Sequence, residues 1–252
     1  MSLAHHEVMG LLGIGDLHPG GAAATRLLLT ELEREAPRRI LELGAGIGLT
    51  TGQMLERGWQ VTSVEPSPVL RKILSERLPA PRVVASLDEI DGADVSAGAR
   101  DRFDAVIGEG VLYSLDLPSV LRRLRRLLRP GGRLAFADIV LAEDADPALV
   151  ASVHARTQAI FGFPMVPREL LTRKNWETLL HDAGFDPVFS QPVPLVDRAA
   201  NDRKTWTAKA LAAVRHPRLL PALLKFRLYG RRAWMPPGSL EGWAAVWSLN
   251  RG

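Results

Sequence analysis

The sequence predicts an α/β fold in which helices flank a doubly wound, mostly parallel sheet. One short apolar run, 39–43, passes through three closely spaced glycines into a segment with helical spacing. A second apolar run, 60–64, ends in an acid, Glu65, which lies 21 residues after Gly44. Strands that alternate with helical segments are typical of a parallel sheet. At 252 residues the chain is long enough for one such domain with additions.

The first strand predicts a ligand-binding turn at its end. Gly44, Gly46 and Gly48 separate the strand from a helix that begins near Thr50. Glycine suits a sharp turn whose bare backbone must approach a ligand, because a Cβ would prevent that approach. The free N–H groups of the following helix favour an anionic group such as a carboxylate.

The second strand indicates what the ligand is. Glu65 is placed at the carboxyl end of this strand, where an acidic side chain can accept hydrogen bonds from both hydroxyls of a ribose. The dinucleotide pattern has a third glycine two residues after Ile47, but that residue is Leu49 here. A pyrophosphate is therefore disfavoured, and the sequence predicts a nucleoside.

The stretch Glu42-Leu43-Gly44-Ala45-Gly46-Ile47-Gly48 resembles the first motif of the class I S-adenosylmethionine-dependent methyltransferases, acidic-x-Gly-x-Gly-x-Gly. The resemblance covers residues 36–142, with 103–107 similar to the fourth strand of that family and 128–134 similar to the turn into the fifth. It implies a Rossmann-like sheet of seven strands, with the last strand antiparallel beside the fifth. It also implies S-adenosyl-L-methionine as the cofactor and an enzyme that transfers its methyl group.

The resemblance also implies which residues contact the methyl donor. Glu65 would hold the ribose, and Ser86 or Asp88 the adenine amino group, although Asp88 is equally well explained as the cap of a short turn. The expected donor-binding set is Glu42, Gly44, Ala45, Gly46, Gly48, Glu65, Pro66, Ser86, Asp88, Gly108 and Glu109.

The fourth strand ends in Gly108-Glu109-Gly110, and the carboxyl ends of parallel strands line the ligand crevice. Glu109 is the candidate general base, since a desolvated Glu can titrate near neutral pH. Two alternatives stay open for this carboxylate: to stabilise the positive sulfonium region, or to bond to a neighbouring loop. Many members of the family have a histidine after this strand, where Ser114 stands here.

Three further side chains are candidates to face the acceptor. They are His18, in a Pro-Gly turn that would equally suit the surface, His154 and Tyr113. The six histidines show no ligand spacing with carboxylates, so no metal site is predicted.

The remaining elements follow from periodicity and turn residues. Residues 1–35 are expected to form an N-terminal helical cap with a break at 10–21, followed by the donor-binding core at 36–142 and a helical insertion at 143–184. The last two strands fall within 185–252. Helices are expected at 22–35, 50–55, 68–78, 119–128, 147–161 and 172–181, and the remaining strands at 82–85, 134–139, 185–193 and 242–249.

Positive charge is concentrated in the last part of the chain. From Arg198 to Gly252 there are eleven Lys and Arg against two acids, a net charge of +9, which leaves −5 for the rest of a chain whose total is +4. The segment 198–237 is expected to be a basic helical insertion. Three interpretations stay open: a lid over the pocket, which is favoured, a site for an anionic or lipid-like acceptor, and a peripheral membrane contact.

Four arginines on one face of the expected helix 119–128 raise the question of nucleic acid. That helix packs on the sheet far from the site in the family that the chain resembles, so a solvated face is the favoured explanation. A nucleic-acid partner is accordingly not favoured.

Composition excludes other classes of function. The chain has no cysteine, which excludes disulfides and thiol chemistry, and no apolar run approaches the ~18 residues of a membrane span. The first residues lack the pattern of a signal peptide, so we expect a cytoplasmic protein. The sequence thus predicts a methyltransferase that acts on an O, N or C nucleophile of a small molecule, and it does not indicate an oligomeric state. The alternatives are methylation of nucleic acid, a donor-binding relative with other chemistry, and a noncatalytic module.

Overall fold

The computed structural model describes residues 4–79, 82–91, 102–161, 172–195, 217–223 and 238–251. Within these ranges seven strands form one sheet. They are β1 (Arg39–Leu43), β2 (Gln60–Val64), β3 (Arg82–Val84), β4 (Phe103–Glu109), β5 (Leu128–Leu141), β6 (Phe185–Val193) and β7 (Leu240–Leu249).

The strand order β3-β2-β1-β4-β5-β7-β6 locates the ligand crevice. β1 pairs in parallel with β2 on one side and with β4 on the other, so that Leu43 lies opposite both Val64 and Gly108. β7 runs antiparallel between β5 and β6. The predicted sheet, with its last strand antiparallel beside the fifth, is confirmed. The order reverses between β1 and β4, and ligands bind outside the carboxyl ends of the strands at such a switch point.

The helices are α1 (His5–Leu11), α2 (Gly21–Glu33), α3 (Leu49–Glu56), α4 (Pro68–Arg77), α5 (Asp88–Asp91), α6 (Leu117–Leu127), α7 (Pro147–Phe161) and α8 (Arg173–Asp182). Three of them begin at a side chain that accepts a backbone N–H, namely Ser67 before α4, Asp116 before α6 and Thr172 before α8. The cap at Thr172 lies at the first residue of the helix expected at 172–181. The cap at Asp116 explains why α6 begins two residues before the expected Ser119.

The core lies on both faces of the sheet because neighbouring residues of a buried strand point to opposite sides. On one face, Leu41 packs with α6 and α8 around a large cluster that includes Phe136 and Trp176. On the other face, Ile40 packs with α2 and α3. Three leucines of α2 are fully buried there: Leu28, Leu29 and Leu32.

Strand five begins earlier than the sequence predicts. Phe103 pairs with Leu128, but the next paired residue of β4, Ala105, lies opposite Arg133. The residues between Leu128 and Arg133 therefore form an irregularity at the edge of the pairing, with Gly131 at a φ of +75°. The Pro-Gly-Gly sequence was expected to end the preceding helix in a turn, whereas the structure places it inside the strand.

Several sequence predictions fall partly outside the described residues: residues 92–101 of the donor-binding core, residues 162–171 of the helical insertion at 143–184, and most of the basic insertion at 198–237. From that basic insertion the structure describes 217–223, where Leu219 packs against Val8 and Met9 of α1. Among the described residues, none of the helices combines the length and the apolar character that crossing a bilayer requires.

Candidate active site

The three glycines after β1 all have left-handed backbone angles, with φ of +69° at Gly44, +57° at Gly46 and +81° at Gly48. Their surroundings differ. A Cβ on Gly44 would lie 3.1 Å from Val111, and one on Gly48 would lie 3.0 Å from Leu74. A Cβ on Gly46 would meet nothing within 4 Å. The expectation of backbone open to a ligand therefore fits Gly46, whereas Gly44 and Gly48 allow close packing inside the protein.

Glu65 is held beside this turn by two backbone amides. Its Oε2 accepts a hydrogen bond of 2.8 Å from Gly46 N, and its Oε1 accepts one of 2.8 Å from Ser67 N. The residue is only 4% exposed, and burial raises the pKa of its carboxyl group, although both amides oppose the shift. Each carboxylate oxygen has a second lone pair, so Glu65 can still accept hydrogen bonds from ligand hydroxyls.

These features fit a nucleoside that carries a charged amino-acid chain. The space above Gly46 accommodates a ligand close to the backbone, and Glu65 supplies fixed acceptors for ribose hydroxyls. The start of α3 supplies N–H groups for an anionic end. The residues present therefore match the chemistry of S-adenosylmethionine.

Glu42 lies beneath the glycine turn rather than at its surface. Its Oε2 accepts hydrogen bonds from the hydroxyls of Thr51 in α3 and Ser63 in β2. Burial raises the pKa of Glu42 to about 7, against the opposing effect of the two hydroxyls. This side chain therefore joins β1, β2 and α3 and fixes the position of the turn between them.

Glu109, at the end of β4, connects the N-terminal segment to the donor site. Its Oε1 accepts a 2.7 Å hydrogen bond from Thr25 Oγ1 of α2, and its Oε2 accepts one of 2.7 Å from Thr50 Oγ1 of α3. His18 Nε2 lies 3.6 Å from the same Oε1 and 3.3 Å from Thr25 Oγ1. The structure thus brings together two of the predicted acceptor-side residues, His18 and Glu109. Sequence reasoning missed Thr25 and Thr50.

The approach of His18 depends on Gly110. This glycine has a φ of +63°, and a Cβ on it would lie 3.0 Å from the Cβ of His18. Its amide donates to Ala137 O of β5, which fixes the end of β4. The turn that carries His18 is anchored separately, since Gly20 N donates a 2.7 Å hydrogen bond to Pro194 O after β6. The N-terminal turn therefore lies directly over the carboxyl end of β4.

Asp138 was also missed by the sequence analysis. It is fully buried in β5, where Oδ2 accepts from Leu112 N at 2.8 Å and Oδ1 accepts from Ile139 N at 3.0 Å. Burial raises the pKa of Asp138 to about 7, although the backbone amides that it binds oppose the shift. The carboxylate fixes the segment that follows β4. The signal in the sequence is a single acid within the apolar run 134–141.

The other two acceptor-side candidates lie in other elements. Tyr113 belongs to the main core cluster, and burial raises the pKa of its phenol. His154 is half-buried in α7, where its carbonyl accepts the hydroxyl of Thr157. A role at the acceptor stays a prediction for both.

The other residues expected at the donor lie around the same end of the sheet. Ala45 N donates to Val64 O, and a Cβ on Gly108 would lie 3.0 Å from Val111. The Pro66 carbonyl accepts from Arg71. Contact of each of these residues with the methyl donor stays a prediction.

The adenine candidates differ in their surroundings. Ser86 is half-buried before α5, whereas Asp88 is exposed and its carboxylate lies 2.9 Å from Arg123 of α6. Arg125, also on α6, donates to Ala183 O at 3.4 Å. The arginine face of α6 is therefore partly used in contacts within the protein. No group of three His, Asp or Glu side chains that could hold a metal ion occurs in the described ranges.

The sheet order, the glycine turn and the buried Glu65 together define a class I S-adenosylmethionine-dependent methyltransferase. The family described as a methyltransferase domain matches residues 20–189, and this chain belongs to that family. S-adenosyl-L-methionine is accordingly its methyl donor.

Among its relatives is YodH of Bacillus subtilis, an uncharacterised methyltransferase, which is 27% identical over 184 residues that make up 71% of this chain and 73% of YodH. The fold is similar to that of phosphoethanolamine N-methyltransferase 2 of Haemonchus contortus in complex with S-adenosyl-L-methionine. That comparison has a TM-score of 0.62 and 18% identity, and it covers 98% of this chain and 57% of the other. It is also similar to 1,6-didemethyltoxoflavin-N1-methyltransferase of Burkholderia thailandensis, solved with S-adenosylhomocysteine, at a TM-score of 0.51 and 24% identity over 90% of this chain and 79% of the other.

Proposed function

We propose that this methyltransferase modifies an O, N or C nucleophile of a small molecule that binds beside Glu109. The observation that carries the proposal is the hydrogen-bonded group at Glu109, where the N-terminal segment meets the donor site through Thr25 and Thr50. An N-terminal segment that covers the carboxyl end of β4 encloses a small acceptor next to the donor. A long polymer needs an open approach to the same point.

The protein contributes mainly position and exclusion of water. The bound donor supplies a methyl group that its positive sulfur already activates. Glu65 and the backbone at Gly46 hold the nucleoside, which fixes where the methyl group is presented. The N-terminal turn and α2 cover the end of β4 and keep water away. Alignment of two reactants and removal of water can together supply several kcal/mol.

A general base is needed only where the acceptor must lose its proton early. Glu109 and His18 are the candidates that the structure brings together, and each oxygen of Glu109 retains a second lone pair beyond its threonine partner. The two hydroxyls also keep the carboxylate in one orientation. We assign Glu109 a positioning role first and the role of base second. His154 and Tyr113 remain further candidates on the acceptor side.

The finer identity of the acceptor depends on the basic insertion. We favour a lid, and the packing of Leu219 on Val8 and Met9 supports this because it joins 217–223 to α1, whose Glu7 accepts the hydroxyl of Ser67 beside the donor site. The excess of arginine in 198–237 supports an anionic or lipid-like acceptor as the more specific form of the proposal.

The test measures S-adenosylhomocysteine released from S-adenosylmethionine by the purified chain. Small acceptors are supplied as matched pairs, each as an anionic compound and its neutral ester or amide. We expect turnover with at least one small acceptor and a preference for the anionic member of the pair. Turnover on RNA or DNA alone, or donor binding without turnover on any acceptor, contradicts the proposal. Glu65→Ala serves as the control that lacks the donor contact.

A further inference from the structure

We infer that Thr25, which lies in α2 outside the glycine turn, is a positioning residue for the methyl donor. It acts through Glu109 on Thr50, the second residue of α3. The carboxylate of Glu109 then joins the donor site to the N-terminal segment. The inference rests on the proposed function only in taking the N-terminal segment as the wall beside the acceptor.

The first support is the environment of Glu109. Its side chain is 9% exposed, and within the described part of the chain its ion pairing is limited to the His18 ring at 3.6 Å. The short hydrogen bonds from Thr25 and Thr50 therefore provide much of the local stabilisation of a nearly buried carboxylate. Loss of either hydroxyl leaves one oxygen with less compensation for its burial.

The second support is the symmetry of the contacts. Thr25 binds Oε1 and Thr50 binds Oε2, each at 2.7 Å. A carboxylate is planar, so a rotation that compensates for the loss of one partner misaligns the other. Loss of the Thr25 hydroxyl therefore also disturbs the hydrogen bond between Glu109 and Thr50.

The third support is the place of Thr50 in the sequence. It follows Gly48 by two residues and belongs to the first turn of α3, where backbone N–H groups without an intrahelical partner can bind an anionic part of the donor. A shift of Thr50 therefore moves the glycine turn and the start of the helix together. Thr25 is fully buried, so ligand contact at the surface of α2 does not account for such an effect.

The experiment is a mutant cycle read by calorimetric binding of S-adenosylhomocysteine, which needs no acceptor. Thr25→Val and Thr50→Val remove the hydroxyls at nearly constant shape, whereas Thr25→Ser keeps the hydroxyl. Thr30→Val is the matched control, because Thr30 is on the same helix and its hydroxyl donates to the Arg26 carbonyl at the surface. Melting temperatures are measured in parallel.

Hydrogen bonds to a charged group are strong enough that we expect Thr25→Val to weaken binding roughly tenfold. Thr25→Ser should stay within about twofold of wild type, given the retained hydroxyl. The double variant Thr25→Val/Thr50→Val should bind about as well as the weaker single variant, because both act through Glu109. A lower melting temperature with unchanged affinity in Thr25→Val, or additive losses in the double variant, overturns the inference.

If Thr25→Val does not fold, hydrogen exchange on the wild-type protein decides the question. Saturating S-adenosylhomocysteine should slow exchange of the α2 amides around Thr25, and unchanged exchange there overturns the inference. If the proposed function fails instead, the variants still show non-additive losses of donor affinity, but no small molecule is methylated.

Discussion

The amide of Gly46 donates a 2.8 Å hydrogen bond to Oε2 of Glu65, which joins the end of β1 to the end of β2. One contact thereby fixes both halves of the donor site, the turn with open space above it and the acid beside it. The remaining carboxylate oxygen is fixed by Ser67 N, so the site is ordered by the protein's own amides.

We predict that Glu65→Ala weakens binding of S-adenosylmethionine by about tenfold to a hundredfold. The ribose loses its charged acceptor, and the net loss of one such hydrogen bond, about 1.5–3 kcal/mol, corresponds to roughly tenfold to a hundredfold in affinity. The amides of Gly46 and Ser67 also lose their partner, so a lower melting temperature is expected as well. Calorimetry checks the affinity. Glu33→Ala, which removes a surface partner of Arg57, is the control, and undiminished binding by Glu65→Ala contradicts the assignment.

Gly46→Ala and Gly58→Ala should separate backbone strain from ligand contact. Both glycines have positive φ, +57° and +76°, and a Cβ meets nothing within 4 Å at either position. Each substitution should therefore cost about 1–2 kcal/mol in stability. Because Gly46 faces the donor space and Gly58 lies between α3 and β2, only Gly46→Ala should also lose donor affinity. Equal affinities for the two variants would show that Gly46 does not approach the donor.

Gly48→Ala should behave differently from Gly46→Ala. A Cβ on Gly48 would lie 3.0 Å from both Leu74 and Leu78, so the new methyl group presses on α4. Overpacking of this kind costs about 1–3 kcal/mol, in addition to the strain of a positive φ. Denaturant unfolding should show a larger loss of stability for Gly48→Ala than for Gly46→Ala. The reverse order contradicts the packing role.

The buried Glu42 should make stability depend on pH. Burial raises its pKa from an ordinary 4.5 to about 7 in the folded protein, so folding takes up a proton between these values. The stabilisation that protonated Glu42 contributes to the folded state is fully present below pH 4.5 and is lost as pH rises toward 7. The free energy of unfolding then falls by at most about 1.4 kcal/mol per pH unit. Glu42→Gln should flatten this part of the curve. Parallel unfolding curves for the two proteins between pH 5 and 8 contradict the prediction, and Glu33→Gln is the exposed control.

Asp138→Ala should loosen the segment after β4. The amides of Leu112 and Ile139 lose a buried acceptor, and each unsatisfied amide costs about 1–3 kcal/mol. We expect faster hydrogen exchange at these two amides and a lower free energy of unfolding. Asp146→Ala is the matched control, because its carboxylate also accepts an amide, that of Ala148, but in an exposed position where water replaces it. Unchanged protection of Leu112 contradicts the assigned role.

Much of the fold was predictable because it depends on local patterns. β2, β6 and α7 have the bounds that apolar periodicity and turn residues predict, and the cap at Thr172 is a property of neighbouring residues. The bulge before Arg133 was not predictable, because it depends on how β4 pairs with a strand that begins 25 residues later.

The sequence by itself determined the glycine turn, the acid at the end of the second strand and hence the class of ligand, because these residues lie close together along the chain and serve one local geometry. Only the tertiary structure decided the surroundings of Glu109 and Asp138. Thr25 and Thr50 are 84 and 59 residues from Glu109, and Leu112 is 26 residues from Asp138. Such contacts depend on how the helices pack on the sheet, and the spacing of residues along the chain does not predict that packing.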